Sequence, residues 1–172
     1  MNSFTRLVRS GNFETAASIA QSLIKRDGFG LNNLHHLALV SKSASELGEF
    51  KAPSTTKKPL GKQMVFPYFC AAINPNSQIF QALYNVIDNK MIQDEVFSNA
   101  THYAAVCSSS GPLEILISER LPFDLLNKMK QTPLILAATF GRHANCEVLL
   151  KAGANWKKFK DNKGYGAIHR AV

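Results

Sequence analysis

This 172-residue chain has only three cysteines, Cys70, Cys107 and Cys146. An odd, widely spaced set makes no disulfide framework, and with no Cys-x-x-Cys pair it makes no zinc ribbon either. No apolar run approaches the roughly 18–20 residues that a membrane-spanning helix needs. Arg6 and Arg9 stand near the start, but no apolar stretch follows them, so no secretory signal is read. These absences point to a reducing cytoplasmic or nuclear setting. The motifs of common chemistries are missing too: there is no glycine-rich phosphate loop, no Gly-x-Ser-x-Gly elbow and no His-Glu-x-x-His. His102 and Cys107 invite a nucleophile–base reading. On one helix, however, five residues turn the chain through about 500°, which leaves the two side chains about 140° apart. No catalytic, cofactor-binding or metal-ligating residue is therefore assigned, and no cofactor is expected.

Acidic residues are also scarce, 12 against 20 Lys and Arg, for a net charge of +8. The imbalance is uneven: residues 51–63 carry +4, residues 64–127 carry −4, and residues 128–172 carry +7. Apolar residues are not scarce. They make up 45% of the chain, with 11 phenylalanines, enough to bury a core and to exclude global disorder.

What the chain has in abundance is self-similarity. Thr132-Pro133-Leu134-Ile135-Leu136-Ala137-Ala138 is answered 34 residues later by Gly166-Ala167-Ile168-His169-Arg170-Ala171. Upstream, Asn99-Ala100-Thr101-His102-Tyr103-Ala104-Ala105 precedes it by 33 residues, and Phe66-Pro67-Tyr68-Phe69-Cys70-Ala71-Ala72 lies a further 33 back. Asn32-Asn33-Leu34-His35-His36-Leu37-Ala38 fits another period, and Gly11-Asn12 occupies a turn position in a looser first unit. Aliphatic clusters recur in the second half of each unit, at Ile79 to Leu83, Ile115 to Ile117 and Val148 to Leu150. A period of this length marks a supersecondary unit that cannot bury its own apolar face and is stable only when stacked.

The start phrase with Gly141, and the exit Leu149-Leu150-Lys151-Ala152-Gly153-Ala154, resemble the consensus of the ankyrin repeat family. The resemblance is good over residues 66–172 and poor over residues 1–65. Only Thr132 keeps the family threonine, and the units that begin at Asn32 and Phe66 lack the exit glycine. It implies an all-α fold, an ankyrin-like α-solenoid of helix-turn-helix repeats with short β-hairpin tips, about five to six units long and with its last repeat incomplete. The expected organisation is divergent N-terminal repeats in residues 1–50, a basic Pro/Lys-rich loop insert in residues 51–65, and repeats in residues 66–172 starting near 66, 99, 132 and 166. First helices should begin near Pro67, Ala100, Pro133 and Ala167, and second helices near Ser77, Pro112 and His143. A short helix is expected at residues 43–50. Asn76 or Ser77, and Ser110, read as helix caps, and Gly153 and Gly164 suit turns that need φ > 0. His35, His102 and His169 share one repeat position, where the family's histidine hydrogen-bonds within its own turn.

Function follows from the positions that packing does not require. In an ankyrin-like unit the hairpin tip and the two residues after the Ala-Ala pair face the concave side. Here those residues are Ile73, Asn74, Val106, Cys107, Thr139 and Phe140. The tips add Glu95, Val96 and Ser98, then Lys128, Met129 and Gln131, then Asn162, Lys163 and Tyr165. The expected partner-binding surface is an apolar strip of Ile73, Val106, Met129, Phe140 and Tyr165, rimmed by Lys128 and Lys163, with Thr139 and Asn162 alongside. The competing expectation is that Phe140 tucks between units and breaks the strip.

The array is thus expected to be a protein–protein interaction scaffold whose partner binds the concave face. As an alternative, the resemblance allows the N-terminal targeting or regulatory region of a larger enzyme (a tankyrase-like ADP-ribosyltransferase or a kinase) or of an ion channel. A third expectation is nucleic acid or anionic lipid at the basic C-terminal end, where Trp156, Phe159 and Tyr165 interleave the lysines. Because the last unit stops within its first helix, the sequence is expected to continue beyond Val172. Residues 161–172 are expected to be weakly held.

Overall fold

The computed structural model describes residues 9–12, 14–15, 38–39, 41–42 and 66–171. The expected loop insert at residues 51–65, the helix at 43–50, His35 and His36 lie outside the described residues. Among residues 66–171 seven helices follow one another: α1 (Pro67–Ala72), α2 (Ser77–Val86), α3 (Ala100–Ala105), α4 (Gly111–Ser118), α5 (Pro133–Thr139), α6 (His143–Lys151) and α7 (Ala167–Arg170). They form two rows. One row stacks α1, α3, α5 and α7 in order, the other stacks α2, α4 and α6, and each unit's two helices pack on each other. Among the described residues there is no strand, only an isolated antiparallel bridge from Gln93 to Asn99.

Local sequence explains where each helix starts. Pro67 and Pro133 sit in the first turn, where a missing N–H costs nothing. The side chains of Asn76, Asn99 and Thr132 accept from backbone N–H groups of the first turns of α2, α3 and α5. Ser110 does not cap in this way: its Oγ donates to Glu114 at 2.6 Å, and Ser109 Oγ accepts the Gly111 N–H instead. At Gly111 the helices α2 and α4 approach so closely that an added Cβ would lie 2.7 Å from Ser77 Cβ. Two of the three second helices described end with a residue at positive φ, Gly153 (φ 95) after α6 and Arg120 (φ 59) after α4. Leu121 and Ala154 then donate back to Leu116 and Leu149, at 3.0 and 2.9 Å.

The small pairs Ala71-Ala72, Ala104-Ala105 and Ala137-Ala138 are buried and let neighbouring first helices approach. Leu113, Leu116, Leu134 and Leu149 fill the space between the rows and between units. In the unit that begins at Phe66, rings take the place of aliphatics: Tyr68 stacks on Phe80 at 5.2 Å, and Phe69 on Tyr103 of the next unit at 4.5 Å.

Polar groups also join units. Asn145 Nδ2 reaches the carbonyls of Ala104, Ala105 and Cys107 at 3.2, 3.0 and 2.9 Å, which satisfies the open C-terminal end of α3. The C-terminal end is held more firmly than the sequence suggested. Arg170 pairs with Asp161, Gly166 N–H donates to His169 Nδ1 at 3.3 Å, and α7 packs on α5.

Candidate functional site

The tips repeat one construction. Asp94 accepts from the N–H groups of Val96 and Ser98 at 2.9 and 2.8 Å. Asn127 does the same for Met129 and Gln131 at 2.9 and 3.0 Å, and Asp161 for Lys163 and Tyr165 at 2.9 Å each. Each tip has one residue at positive φ: Phe97 (61), Lys130 (56) and Gly164 (81). Backbone bonds tie tip to tip, from Lys128 N–H to Val96 O at 2.9 Å and from Asn162 N–H to Met129 O at 3.0 Å. The side chains at the tips therefore project from a pinned ladder.

Between this ladder and the first helices runs a groove with a cavity of about 370 Å³. Val96, Tyr103, Met129, Leu136, Thr139 and Phe140 form its walls, and Arg9 and Ser10 border it. The N-terminal residues were not expected there. Arg9 Nε lies 3.0 Å from Asp94 Oδ2, which also accepts the Tyr103 hydroxyl at 2.8 Å, and Arg9 Nη2 reaches Glu95 at 3.4 Å. Gly11, at φ +64, lies so close to α3 that a Cβ would sit 2.0 Å from the Val106 carbonyl oxygen. Arg142 joins the pieces, donating to Val106 O at 2.9 Å and to Gly11 O at 3.4 Å.

These contacts correct part of the expected strip. Ile73 and Val106 have no exposure. Each is the C-cap of a first helix; Cys107 Sγ donates to Ile73 O at 3.3 Å, and Gly11 covers Val106. Asn74 and Cys107 are buried as well. Met129, Thr139 and Phe140 are exposed and line the groove together. Phe140, 38% exposed, is not tucked between units. Lys128, Asn162, Lys163 and Tyr165 are exposed on the adjoining tips, and the Tyr165 ring faces the Arg170 guanidinium at 4.7 Å.

Four groups at or beside the groove were not singled out from sequence: Arg9 and Tyr103 on its lining, Asp94 which pairs with both, and Phe97 on the neighbouring tip. The period held a signal for one of them, because Phe97 occupies the tip position filled by glycine at Gly164. Phe97 is 51% exposed, with Lys128 Nζ 4.8 Å from its ring centre. Arg9 carried no such signal, because its contact spans 85 residues.

The titratable groups are structural. Burial above all, and then the Asp94 charge, push the Tyr103 hydroxyl well up, so it stays protonated and donates. Burial pushes the Cys107 thiol up to about 11 and raises Cys70 and Cys146 too, the opposite of an activated nucleophile. Burial pushes His102 down to about 4, against the hydrogen bond to Gln131 O and the Asp94 charge. Among the described residues no cluster of His, Cys, Asp and Glu could hold a metal ion, and no helix is long and apolar enough to cross a membrane.

Paired helices stacked in two rows, with tips hydrogen-bonded in a ladder beside an open groove, define a repeat solenoid built for binding. The chain belongs to the ankyrin repeat family: the family model for ankyrin repeats, three copies, matches residues 68–160. Ankyrin repeats bind proteins, and this segment is a binding array with no catalysis of its own. Over 169 residues, 98% of this chain, it is 29% identical to the poly [ADP-ribose] polymerase tankyrase of Caenorhabditis elegans. Over 70 residues, 39% of this chain, it is 40% identical to the putative E3 ubiquitin-protein ligase XBAT31 of Arabidopsis thaliana. The matched stretches are 7% and 15% of those relatives' lengths.

Proposed function

We propose that this array binds a protein partner in the groove over the unit that begins at Thr132. Met129, Thr139 and Phe140 would make the apolar contact, with Lys128, Asn162, Lys163 and Tyr165 on the rim. The observation that carries the reading is the juxtaposition of exposed Met129 and Phe140 in one cavity. A partially exposed aromatic in a concave pocket is a typical anchor site. To test it, a photocrosslinking phenylalanine analogue at position 140 would capture the partner in cells, and affinity would then be measured on purified components. Phe140→Ala should weaken binding by more than about 1 kcal/mol. Equal binding by wild type and the Phe140→Ala, Tyr165→Ala double variant would move the site to the basic C-terminal surface.

The tankyrase similarity, which spans nearly the whole chain, supports a second reading at another level: the array serves as a targeting region within a larger enzyme. The two readings are compatible, since targeting by an ankyrin array is itself partner binding. Reading the transcript that encodes this chain tests the second one, and a transcript with no enzymatic domain would count against it.

A further inference from the structure

We propose, building on the groove assignment above, that the occupant is an extended acidic protein segment that inserts one large apolar side chain between Met129 and Phe140 and sets carboxylates against Lys128 and Lys163. The pocket comes first. Val96, Met129, Leu136 and Phe140 supply apolar walls, and a cavity of about 370 Å³ bordered by Arg9 and Ser10 has room for a large apolar side chain together with part of the chain that carries it. The charge balance then gives the sign of the flanking residues. The acids nearby are already engaged. Asp94 accepts from Arg9, Tyr103 and two tip N–H groups, Glu95 faces Arg9, and Asp161 holds Arg170 and two further tip N–H groups. The lysines on the same ladder are not engaged in that way. Among the described residues Lys128 and Lys163 have no carboxylate partner, and Lys128 lies over the Phe97 ring. Bonds to Val96 O and from Asn162 Nδ2 at 3.3 Å fix the backbone of Lys128, and Asp161 Oδ1 fixes that of Lys163 at 2.9 Å, so both exposed lysines rise from anchored tips with flexible side chains that can reach a ligand at the edge of the ladder. The charge that completes this edge is negative. A nucleic acid fits the cavity itself less well, because the one Lys or Arg that lines it, Arg9, is already paired with Asp94 and Glu95.

The experiment is selection of random dodecapeptides, displayed on phage, against the full chain, followed by affinity measurements on synthetic winners. Winners should carry Phe, Trp, Leu or Met with Asp or Glu close by. They should lose about tenfold in affinity, about 1.4 kcal/mol, on the Lys128→Glu, Lys163→Glu protein, and should bind more weakly as salt rises. Both lysines are exposed, so this variant should melt with the wild type. Winners that need Phe140 but are neutral or basic, and are indifferent to the charge reversal, would refute the acidic occupant and leave the groove assignment standing. Winners that bind the Met129→Ala, Phe140→Ala protein as well as wild type would refute the groove assignment itself. Failure to enrich any peptide, or a single-stranded RNA or phosphatidylserine vesicles bound through Lys128 and Lys163 in place of peptides, would overturn the proposal.

Discussion

His102 shows how one residue of the repeat ties chemistry to stability. Its Nδ1 lies 3.3 Å from the Asn99 backbone nitrogen and 2.7 Å from Asn99 Oδ1, and Nε2 is 3.2 Å from Gln131 O. The ring thus closes its own turn and also grips the following tip. Its folded pKa lies below the unfolded value, so the unfolded chain takes up a proton that the folded chain refuses. Stability is therefore fully present above about pH 6.5 and is lost as pH falls from there towards about 4, by up to roughly 3 kcal/mol. Denaturant melts across that window, repeated with His102→Gln, check this; an unchanged slope in the variant would contradict it. A second residue-scale test uses Lys130, exposed at φ 56 where the last tip has Gly164. Relief of left-handed strain in Lys130→Gly should raise stability by up to about 1 kcal/mol, less the extra freedom of glycine in the unfolded chain. A lower melting temperature would mean that the strain is absent. The histidine's role was legible because the period puts it in register with His35 and His169. The strain at Lys130 and Phe97 shows only when they are set in register with Gly164, because their own local sequence holds no glycine to announce a positive φ.

At the scale of elements, the helices were legible and one of their coverings was not. Pro67, Pro133 and the Ala-Ala pairs state their roles through short-range geometry, and six of the seven helices start at the residue that the register gives, α4 starting one earlier at Gly111. The covering of α3 by residues 9–12 depends on long-range contacts that no periodicity encodes, and it is what buries Val106. Gly11 is the vulnerable point of that contact. Alanine there would adopt φ +64 with its Cβ 2.0 Å from a backbone oxygen, a clash that no side-chain rotation relieves. Gly11→Ala should lift residues 9–12 from α3, cost more than about 1 kcal/mol and speed hydrogen exchange over residues 100–106. Unchanged exchange in that segment, with an unchanged melt, would show that the contact does not hold in solution. Arg9→Ala offers an independent check, since it removes the ion pair to Asp94 without straining the backbone.

For the whole molecule, stacking makes stability a matter of neighbours. Within residues 66–171 the helices pack on those of neighbouring units, while residues 9–12 reach past them to Asp94, Val106 and Arg142. Damage in the repeats should therefore travel along the array and fade with distance. Leu149 has no exposure and lies in α6, between the unit that begins at Thr132 and its neighbours. Leu149→Ala should cost roughly 2–5 kcal/mol, as core truncations do. The loss should fall unevenly: hydrogen exchange should rise most in α5, α6 and α7 and least in α1, two units away. Ile168 provides the contrast. It is 53% exposed beside Leu150 and Trp156 in a shallow apolar groove of about 250 Å³, and Ile168→Ala should change stability by less than about 0.5 kcal/mol. Uniform loss of protection from α1 to α7 in Leu149→Ala would mean that the array melts as one body. The groove around Phe140 would then answer to every core residue, and a partner bound there would stabilise α1 as strongly as α5. Graded loss would confine that coupling to the units that carry the groove, so the same exchange measurement with a bound peptide should protect residues 96–140 and leave α2 unchanged.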